Sequence, residues 1–178
     1  MDFTEKTIST REIYKGRIVH FVEDTVLLPN GKTAGRELIL HNGGVCVIAV
    51  DDEQNVLMVR QFRKPYDEVV LEIPAGKLEK GEEPLSAGKR ELSEETGYEA
   101  ESFTFLGKFY PTPGYCSEII HIYLAQNLTY VGQHLDEDEF VEAEKIPLAT
   151  LVEMVMNNEI PDGKTALAIL KADKILNG

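Results

Sequence analysis

Three glutamates near the middle of the chain, Glu91, Glu94 and Glu95, have the types and the spacing to hold a metal ion. On a helix, Glu91 and Glu95 lie one turn apart on the same side, and Glu94 flanks them. Like charges at this spacing destabilise an isolated helix by about 0.2–0.5 kcal/mol per pair, and the last turn of a helix favours cations. A bound cation would reverse the repulsion, and carboxylate oxygens suit hard cations, Mg²⁺ above all.

The alternative interpretation of these glutamates is an acidic surface exposed to water, on a chain whose net charge is −13. The neighbouring residues distinguish the two interpretations. They match the pattern G-x5-E-x7-R-E-U-x-E-E-x-G-U, in which U is a bulky aliphatic residue, and only the last position departs, since Tyr98 stands there. This pattern is the signature of the Nudix hydrolases, which the chain resembles. The residues that carry the match are Gly76, Glu82, Arg90, Glu91, Glu94, Glu95 and Gly97.

The resemblance implies a fold, a reaction and a metal. The fold is α+β, with a mixed β-sheet sandwiched between helices (α/β/α). The reaction is hydrolysis of a nucleoside diphosphate linked to another group, with Mg²⁺ or Mn²⁺ as the cofactor. By motif position, Glu91 and Glu95 are the main metal ligands and catalytic residues, and Glu94 is an auxiliary ligand. The carbonyl of Ala75 completes the coordination, and Arg90 orients a glutamate.

The choice of substrate is predicted from residues 110–115, which follow the signature, and from Ser117. Pro113 and Gly114 resemble the Ser-Pro-Gly loop of the ADP-ribose pyrophosphatases within this family, although Thr112 replaces the usual serine. In those enzymes the proline helps to set the pocket, so Pro113, Gly114 and Ser117 are predicted to bind substrate. The alternative is a plain Pro-Gly turn.

Two arginines are predicted to bind the phosphates, Arg36 and Arg63. Guanidinium groups suit this task because they donate two hydrogen bonds to phosphate oxygens at once. Alternate residues of a strand face opposite sides, so Arg60 shares a side with Phe62 and Arg63 lies opposite. Arg60 is therefore the weaker candidate. An arginine exposed to water remains the alternative for Arg36 and for Arg63.

A general base for the attacking water is expected outside the signature, because metal ligation would occupy the signature glutamates. In the similar ADP-ribose enzymes the base comes from a late acidic loop, which corresponds here to residues 136–142. Glu137 aligns best with that base, and Glu139 aligns with a carboxylate near the metals. The choice between them depends on register and could shift by two residues. The alternative for either residue is a solvated charge.

The elements that must position these residues follow from hydrophobic patterning. Pro29 to Lys32 predicts a hairpin turn, and Gly43-Gly44 predicts a break in the chain. We expect an N-terminal antiparallel β subdomain over residues 1–43 and a Nudix hydrolase domain over residues 44–178. The predicted strands are 17–28, 36–41, 45–50, 55–62, 69–73, 103–110, 118–125 and 141–146, and the predicted helices are 84–96, 148–156 and 164–176.

Composition is ordinary for a globular protein, and the two cysteines, Cys46 and Cys116, form no motif. The 178 residues suit a single domain, which can bury about two-thirds of its unfolded surface. No apolar run approaches a membrane span, and the N-terminus lacks a secretory pattern. We therefore expect a reduced, cytoplasmic protein. The acidic balance and the lack of a basic footprint argue against nucleic-acid binding.

The resemblance to the ADP-ribose pyrophosphatases predicts Mg²⁺-dependent hydrolysis of ADP-ribose to AMP and ribose 5-phosphate. Another nucleoside diphosphate sugar, such as GDP-mannose or ADP-glucose, is the nearest alternative substrate. An alternative of another class is a sensor that binds ADP-ribose without cleaving it. Residues 1–43 resemble the segment through which such enzymes dimerise, often by exchanging it between subunits. A homodimer is therefore expected, with Arg36 serving the pocket of the partner.

Overall fold

A computed structural model describes residues 2–135 and 140–178. Within these residues the chain forms ten strands and three helices. The strands are β1 (Lys6–Lys15), β2 (His20–Leu27), β3 (Thr33–Leu40), β4 (Gly44–Ala49), β5 (Asn55–Arg63), β6 (Glu68–Glu72), β7 (Ala75–Lys77), β8 (Tyr98–Phe109), β9 (Ile120–Tyr130) and β10 (Val141–Pro147). The helices are α1 (Pro84–Thr96), α2 (Leu148–Met156) and α3 (Gly163–Leu176). The chain divides into two compact units. The first contains Met1–Gly43 and Tyr110–Ile119, and the second contains Gly44–Phe109 and Ile120–Gly178.

The first unit is a three-stranded antiparallel sheet in the order β1-β2-β3. The predicted turn joins β2 to β3, and Gly31 within it takes a φ of 82°. β1 is not among the strands that the sequence predicts, because all ten of its residues are exposed and show no alternation of apolar and polar side chains. The segment Tyr110–Ile119 is bonded to β3, since Ile39 N donates to Tyr115 O (2.7 Å) and Ser117 N donates to Ile39 O (2.9 Å).

The second unit contains two sheets. The first has the strand order β7-β4-β9-β8. Strand β4 pairs in parallel with β9, where Gly44 lies opposite Ile120, and it pairs antiparallel with β7, so this sheet is mixed. The other sheet, β10-β5-β6, is antiparallel. β4 is buried along its whole length, as expected of a central strand that is covered on both faces.

Alternate residues of β4 face different helices, which gives the second unit three layers. Cys46 and Ile48 share a buried cluster with Ile169 of α3. Val47 belongs to a separate buried cluster with Leu92 of α1. Because neighbouring residues of a strand point to opposite faces, α1 covers one face of the mixed sheet and α3 covers the other. The predicted α/β/α arrangement in an α+β chain is confirmed.

The packing of α1 departs from simple helical periodicity at one position. Periodicity in the sequence predicts Leu85 on the core side with Gly88, Leu92 and Thr96, yet Leu85 is 37% exposed while the other three are buried. Leu85 stands in the first turn, one turn before Gly88, at which the helix packs on β4. A Cβ on Gly88 would lie 3.1 Å from Val47 Cγ2. Gly88 therefore allows a close approach to the strand, and this offsets its helix-propensity cost of about 1 kcal/mol.

Two further observations concern membranes and cysteines. None of the described helices is long and apolar enough to cross a membrane. Cys46 lies in the core, Cys116 is partly buried, and both are free thiols. Burial raises the pKa of the Cys46 thiol to about 12, so this residue stays protonated and packs as a small apolar side chain.

Candidate active site

The C-terminal half of α1 carries the signature glutamates, and its end is bonded to the segment that follows β9. Gly97 caps the helix with a φ of 76°, a left-handed conformation that favours glycine. Val131 N donates to Gly97 O (2.8 Å), and the side-chain amide of Gln133 donates to Glu95 O (2.6 Å). These contacts satisfy carbonyl groups that the end of a helix leaves without partners, and they fix the backbone from which the glutamates project.

Glu91 and Glu95 are buried against β7 although they carry carboxylates. Glu91 is 9% exposed and Glu95 is 2% exposed. The backbone amide of Ala75 donates to Glu95 Oε2 at 3.0 Å. The carboxylate of Glu91 lies so close to Gly76 that a Cβ on residue 76 would be 1.8 Å from Oε1. The glycine of the signature therefore provides the space that this carboxylate occupies.

Arg90 places a positive charge beside the signature glutamates. Its Nη1 donates to Glu91 Oε1 (2.8 Å) and Glu94 Oε2 (3.0 Å), and its Nε donates to Glu82 (3.3 Å). Burial alone would lower the pKa of Arg90, but the hydrogen bond to Glu82 and the charge of Glu91 raise it above its ordinary value. The pKa of Glu82 is lowered by hydrogen bonds from the Glu79 backbone and from Arg90. These contacts agree with the orienting role expected of Arg90.

The donor atoms of the predicted metal site fit a divalent cation by their chemistry. They are all hard oxygen atoms of the kind that Mg²⁺ prefers: the carbonyl of Ala75 and the carboxylates of Glu91, Glu94 and Glu95. Two of these carboxylates are already buried beside the backbone of β7, and one fills the space left open by Gly76. In residues 2–135 and 140–178, no group of three or more His, Cys, Asp or Glu residues is arranged so that it could hold a metal ion.

Arg63 lies within electrostatic range of the signature. Its Nε and Nη2 donate to the two oxygens of Glu72 at 2.6 and 2.7 Å. These hydrogen bonds raise the pKa of Arg63 above its ordinary value, and the charge of Glu95 contributes to the same shift. Arg60 instead forms an ion pair with Glu144 of β10 at 2.6 Å. The two arginines therefore have different partners, as their opposite positions along β5 predict.

A buried group of charges beside Arg63 was missed by reasoning from the sequence. Glu72 is 2% exposed and accepts a hydrogen bond from Lys164, whose Nζ also donates to Asp162 at 2.9 Å. We call Arg63, Glu72, Asp162 and Lys164 the Glu72 cluster. A glutamate between the apolar residues Leu71 and Ile73, at the buried end of β6, was the signal that could have drawn attention to Glu72. No sequence pattern connects it to Lys164, which is 92 positions away.

The remaining predicted site residues belong to the first unit or lie outside the described residues. Arg36 is in the first unit and pairs with Glu5, whose carboxylate is 2.8 Å from Nε and 2.6 Å from Nη2. Glu137 and Glu139 lie outside the described residues. The segment Tyr110–Ile119, also in the first unit, contains the three other residues predicted to bind substrate: Pro113, Gly114 and Ser117.

Comparison with known families identifies the class of this protein. Residues 40–166 match the NUDIX domain, and residues 5–39 match the nucleoside diphosphate sugar hydrolase N-terminal domain. The chain belongs to the Nudix hydrolase family, whose members generally use divalent metal ions. The fold and the signature glutamates thus belong to an enzyme, a Nudix pyrophosphatase.

Individual members of this family are similar to the chain over most of its length. The chain is 47% identical over 167 residues to the ADP-ribose pyrophosphatase of Bacillus subtilis (strain 168), with 93% of this chain and 90% of that protein covered. It is 46% identical to the methanol dehydrogenase activator of Bacillus methanolicus, with 94% and 91% covered. A crystal structure of an ADP compounds hydrolase has a TM-score of 0.87 at 22% identity, with 100% and 97% covered. The predicted Nudix fold and the resemblance to ADP-ribose pyrophosphatases are confirmed.

Proposed function

We propose that this Nudix pyrophosphatase hydrolyses ADP-ribose to AMP and ribose 5-phosphate, with Mg²⁺ as its metal and Mn²⁺ as the alternative. The observation that carries the proposal is the burial of Glu91 and Glu95 against β7. Two buried carboxylates are unfavourable without compensating positive charge, which a divalent cation would add to that of Arg90. The 47% identity to a protein named ADP-ribose pyrophosphatase supports the choice of substrate.

The proposed roles divide between holding the metal and holding the substrate. When bound, Mg²⁺ neutralises charge on the pyrophosphate and lowers the pKa of a bound water. Its proposed ligands are the carbonyl of Ala75 and the carboxylates of Glu91, Glu94 and Glu95. Arg63 is proposed to donate to a phosphate oxygen through Nη1, which makes no hydrogen bond to any described residue. Four further residues are proposed to bind substrate on the basis of the family resemblance alone: Arg36, Pro113, Gly114 and Ser117.

Glu137 is proposed as the base that takes a proton from the attacking water, and Glu139 as a carboxylate near the metals. Both lie outside the described residues, so this assignment rests on the resemblance. Glu137→Gln should lower turnover about 10²–10⁴-fold while Mg²⁺ binding, measured by calorimetry, is largely kept. Glu139→Gln is the matched comparison. Full turnover in Glu137→Gln together with a loss of turnover in Glu139→Gln would identify Glu139 as the base instead.

A panel of substrates tests the proposed reaction. ADP-ribose, ADP-glucose and GDP-mannose are each incubated with the enzyme and Mg²⁺, and release of AMP or GMP is measured by chromatography. We expect the highest kcat/KM for ADP-ribose. Faster cleavage of GDP-mannose or ADP-glucose would assign the enzyme to that alternative, and binding of ADP-ribose without release of AMP would indicate a sensor. The contacts of Arg90 with Glu91 and Glu94 favour hydrolysis over the sensor.

Residues 1–43 are proposed as a dimerisation subdomain and residues 44–178 as the hydrolase domain. Strand β1 stands at the edge of its sheet, and its side chains Ile8, Ile13 and Tyr14 are 56%, 42% and 60% exposed. An outer strand with exposed apolar side chains favours association with another subunit. Light scattering at micromolar concentration should therefore give the mass of a dimer. A clean monomer would contradict this proposal without affecting the proposed reaction.

A further inference from the structure

We infer that Lys164 is a positioning residue for Arg63 and acts on it through Glu72. The inference rests on the proposed function, in which Arg63 donates to a phosphate oxygen of the substrate. Arg63 ends β5, Glu72 ends β6, and Lys164 stands in the first turn of α3. Three separate elements thus meet in the Glu72 cluster, and α3 has no other proposed part in the reaction.

Glu72 is the central member of the cluster. Burial raises the pKa of this carboxyl, but the hydrogen bonds from Arg63 and the charge of Lys164 outweigh burial, and the pKa lies below its ordinary value. Oε1 accepts from Arg63 Nε, whereas Oε2 accepts both from Arg63 Nη2 and from Lys164 Nζ. The two parallel hydrogen bonds fix the plane of the guanidinium. Lys164 therefore bonds to the same carboxylate that sets the orientation of Arg63.

Lys164 has little freedom of its own. Its side chain is 12% exposed, and its Nζ donates to Asp162 at 2.9 Å. Asp162 caps α3 by accepting from Thr165 N at 3.1 Å. The hydroxyl of Thr165 accepts from Ile73 N, next to Glu72, at 3.0 Å. The first turn of α3 therefore contacts the end of β6 twice, through the neutral Ile73–Thr165 hydrogen bond and the charged Lys164–Glu72 contact. Together these contacts hold the ammonium group of Lys164 against Glu72.

The Glu72 cluster adjoins the signature along the chain. Glu72 precedes Ala75 by three residues, and the amide of Ala75 donates to Glu95 Oε2 at 3.0 Å. The cluster contains two cations and two carboxylates, so its charges balance. Without the charge of Lys164, Arg63 would be the sole cation for Glu72 and Asp162. We expect its guanidinium to turn toward them and Nη1 to lose the direction in which it donates to a phosphate.

Lys164→Met tests this inference through substrate binding. The KM for the nucleoside diphosphate sugar that the enzyme cleaves best should rise about tenfold, as expected for loss of one charge-assisted hydrogen bond, with a smaller change in kcat. Lys164→Arg keeps the charge and should restore KM. The matched control is Lys171→Met on the same helix, which removes a hydrogen bond to Leu106 O of 2.9 Å and should leave KM unchanged.

A second measurement is independent of turnover. The Nε–H proton resonance of Arg63, assigned by its loss in Arg63→Lys, reports the hydrogen bond to Glu72. It should shift or broaden in Lys164→Met and not in Lys171→Met. An unchanged resonance together with an unchanged KM would overturn the inference. So would a failure of both Lys164→Met and Lys164→Gln to fold while Lys164→Arg folds, because Lys164 would then be purely structural.

The two proposals fail in different ways. An enzyme that does not cleave ADP-ribose contradicts the proposed function, and the role of Lys164 is then decided with another sugar or by the Arg63 resonance alone. An enzyme that cleaves ADP-ribose with the same KM in wild type and Lys164→Met, and with the same Arg63 resonance, contradicts only the positioning role.

Discussion

The carboxylate of Glu91 lies where a side chain on residue 76 would begin, since Glu91 Oε1 is 1.8 Å from the position of a Cβ on Gly76. The Glu91 carboxylate can therefore occupy this position beside β7 only with glycine at residue 76. The atom in conflict is the end of a flexible side chain, which can swing away. A larger residue at position 76 would displace the carboxylate while the strand keeps its place, so site geometry and fold stability can be changed separately.

Gly76→Ala should consequently lose activity while remaining folded. A displacement of about 1 Å in a reacting group can reduce turnover roughly 10²-fold, and we expect a loss of at least this order. Circular dichroism and thermal unfolding should be close to those of the wild type. Gly163→Ala, which adds a methyl group in open space, is the control and should keep full turnover. Normal kcat in Gly76→Ala would show that Glu91 need not occupy this position during the reaction.

Replacing Glu91 or Glu95 by Gln should abolish hydrolysis without unfolding the protein. Each change keeps the size and shape of the side chain, so the metal-free variants should stay folded, although Glu91→Gln weakens the hydrogen bond from Arg90. Mg²⁺ should raise the thermal midpoint of the wild type, because a ligand stabilises the state that it binds, and should not raise that of the variants. Glu99→Gln, at an exposed position, is the control. A Mg²⁺-dependent midpoint in Glu95→Gln would remove Glu95 from the ligand set.

Gly97→Ala should weaken the cap of α1. The residue has a left-handed φ of 76°, and a Cβ there would lie 2.7 Å from Gln133 N and 2.8 Å from Gly132 C, which are backbone atoms. We expect a loss of about 3 kcal/mol in the free energy of unfolding. Gly81→Ala, with a similar φ of 82° but open surroundings, should lose only about 1 kcal/mol. Equal losses in urea denaturation would mean that the contact with residues 132–133 contributes nothing.

Acid should weaken the Glu72 cluster in a defined direction. The pKa of Glu72 in the folded protein lies below its ordinary value of 4.5, so the unfolded chain takes up a proton first as the pH falls. The stability contributed by Glu72 is therefore complete above pH 4.5 and is lost as the pH falls through the lower, folded pKa. Glu72→Gln should cost about 3 kcal/mol at pH 7, because it leaves buried cations unpaired.

The measurement is urea denaturation of wild type and Glu72→Gln at a series of pH values. The difference in unfolding free energy should shrink below pH 4.5, where the wild type loses the same interaction. Glu68→Gln, at an exposed position of the same strand, is the matched control. A difference that stays constant down to the acid limit would contradict the sign of the shift.

Local signals account for the parts of the structure that the sequence predicts well. α1 has the predicted bounds because Pro84 opens it and Gly97 closes it, and both residues act within one turn of the helix. The burial of Glu91 and Glu95 could not be predicted from periodicity, which places charged residues outward. It depends on β7, a three-residue strand whose pairing with β4 is set by the tertiary fold.

Contacts between distant residues account for what the sequence does not reveal. Glu72 and Lys164 are 92 positions apart, and no local pattern links one residue to the other. β1 was missed for a different reason. A strand with no buried side leaves no alternating pattern, and only its pairing with β2 defines it. Hydrophobic periodicity predicts which side chains are buried. It therefore cannot predict a strand whose side chains are all exposed, or a buried charge whose partner is distant in the sequence.

The parallel pairing of β4 with β9 also fixes an order of events during folding. Gly44 lies opposite Ile120, and every signature residue lies in the stretch between these two strands. During synthesis, α1 is complete while β9, which neighbours β4 in the sheet under that helix, has yet to be made. Pairing of distant segments is slow compared with helix formation. The return of activity on refolding should therefore follow the closure of the sheet.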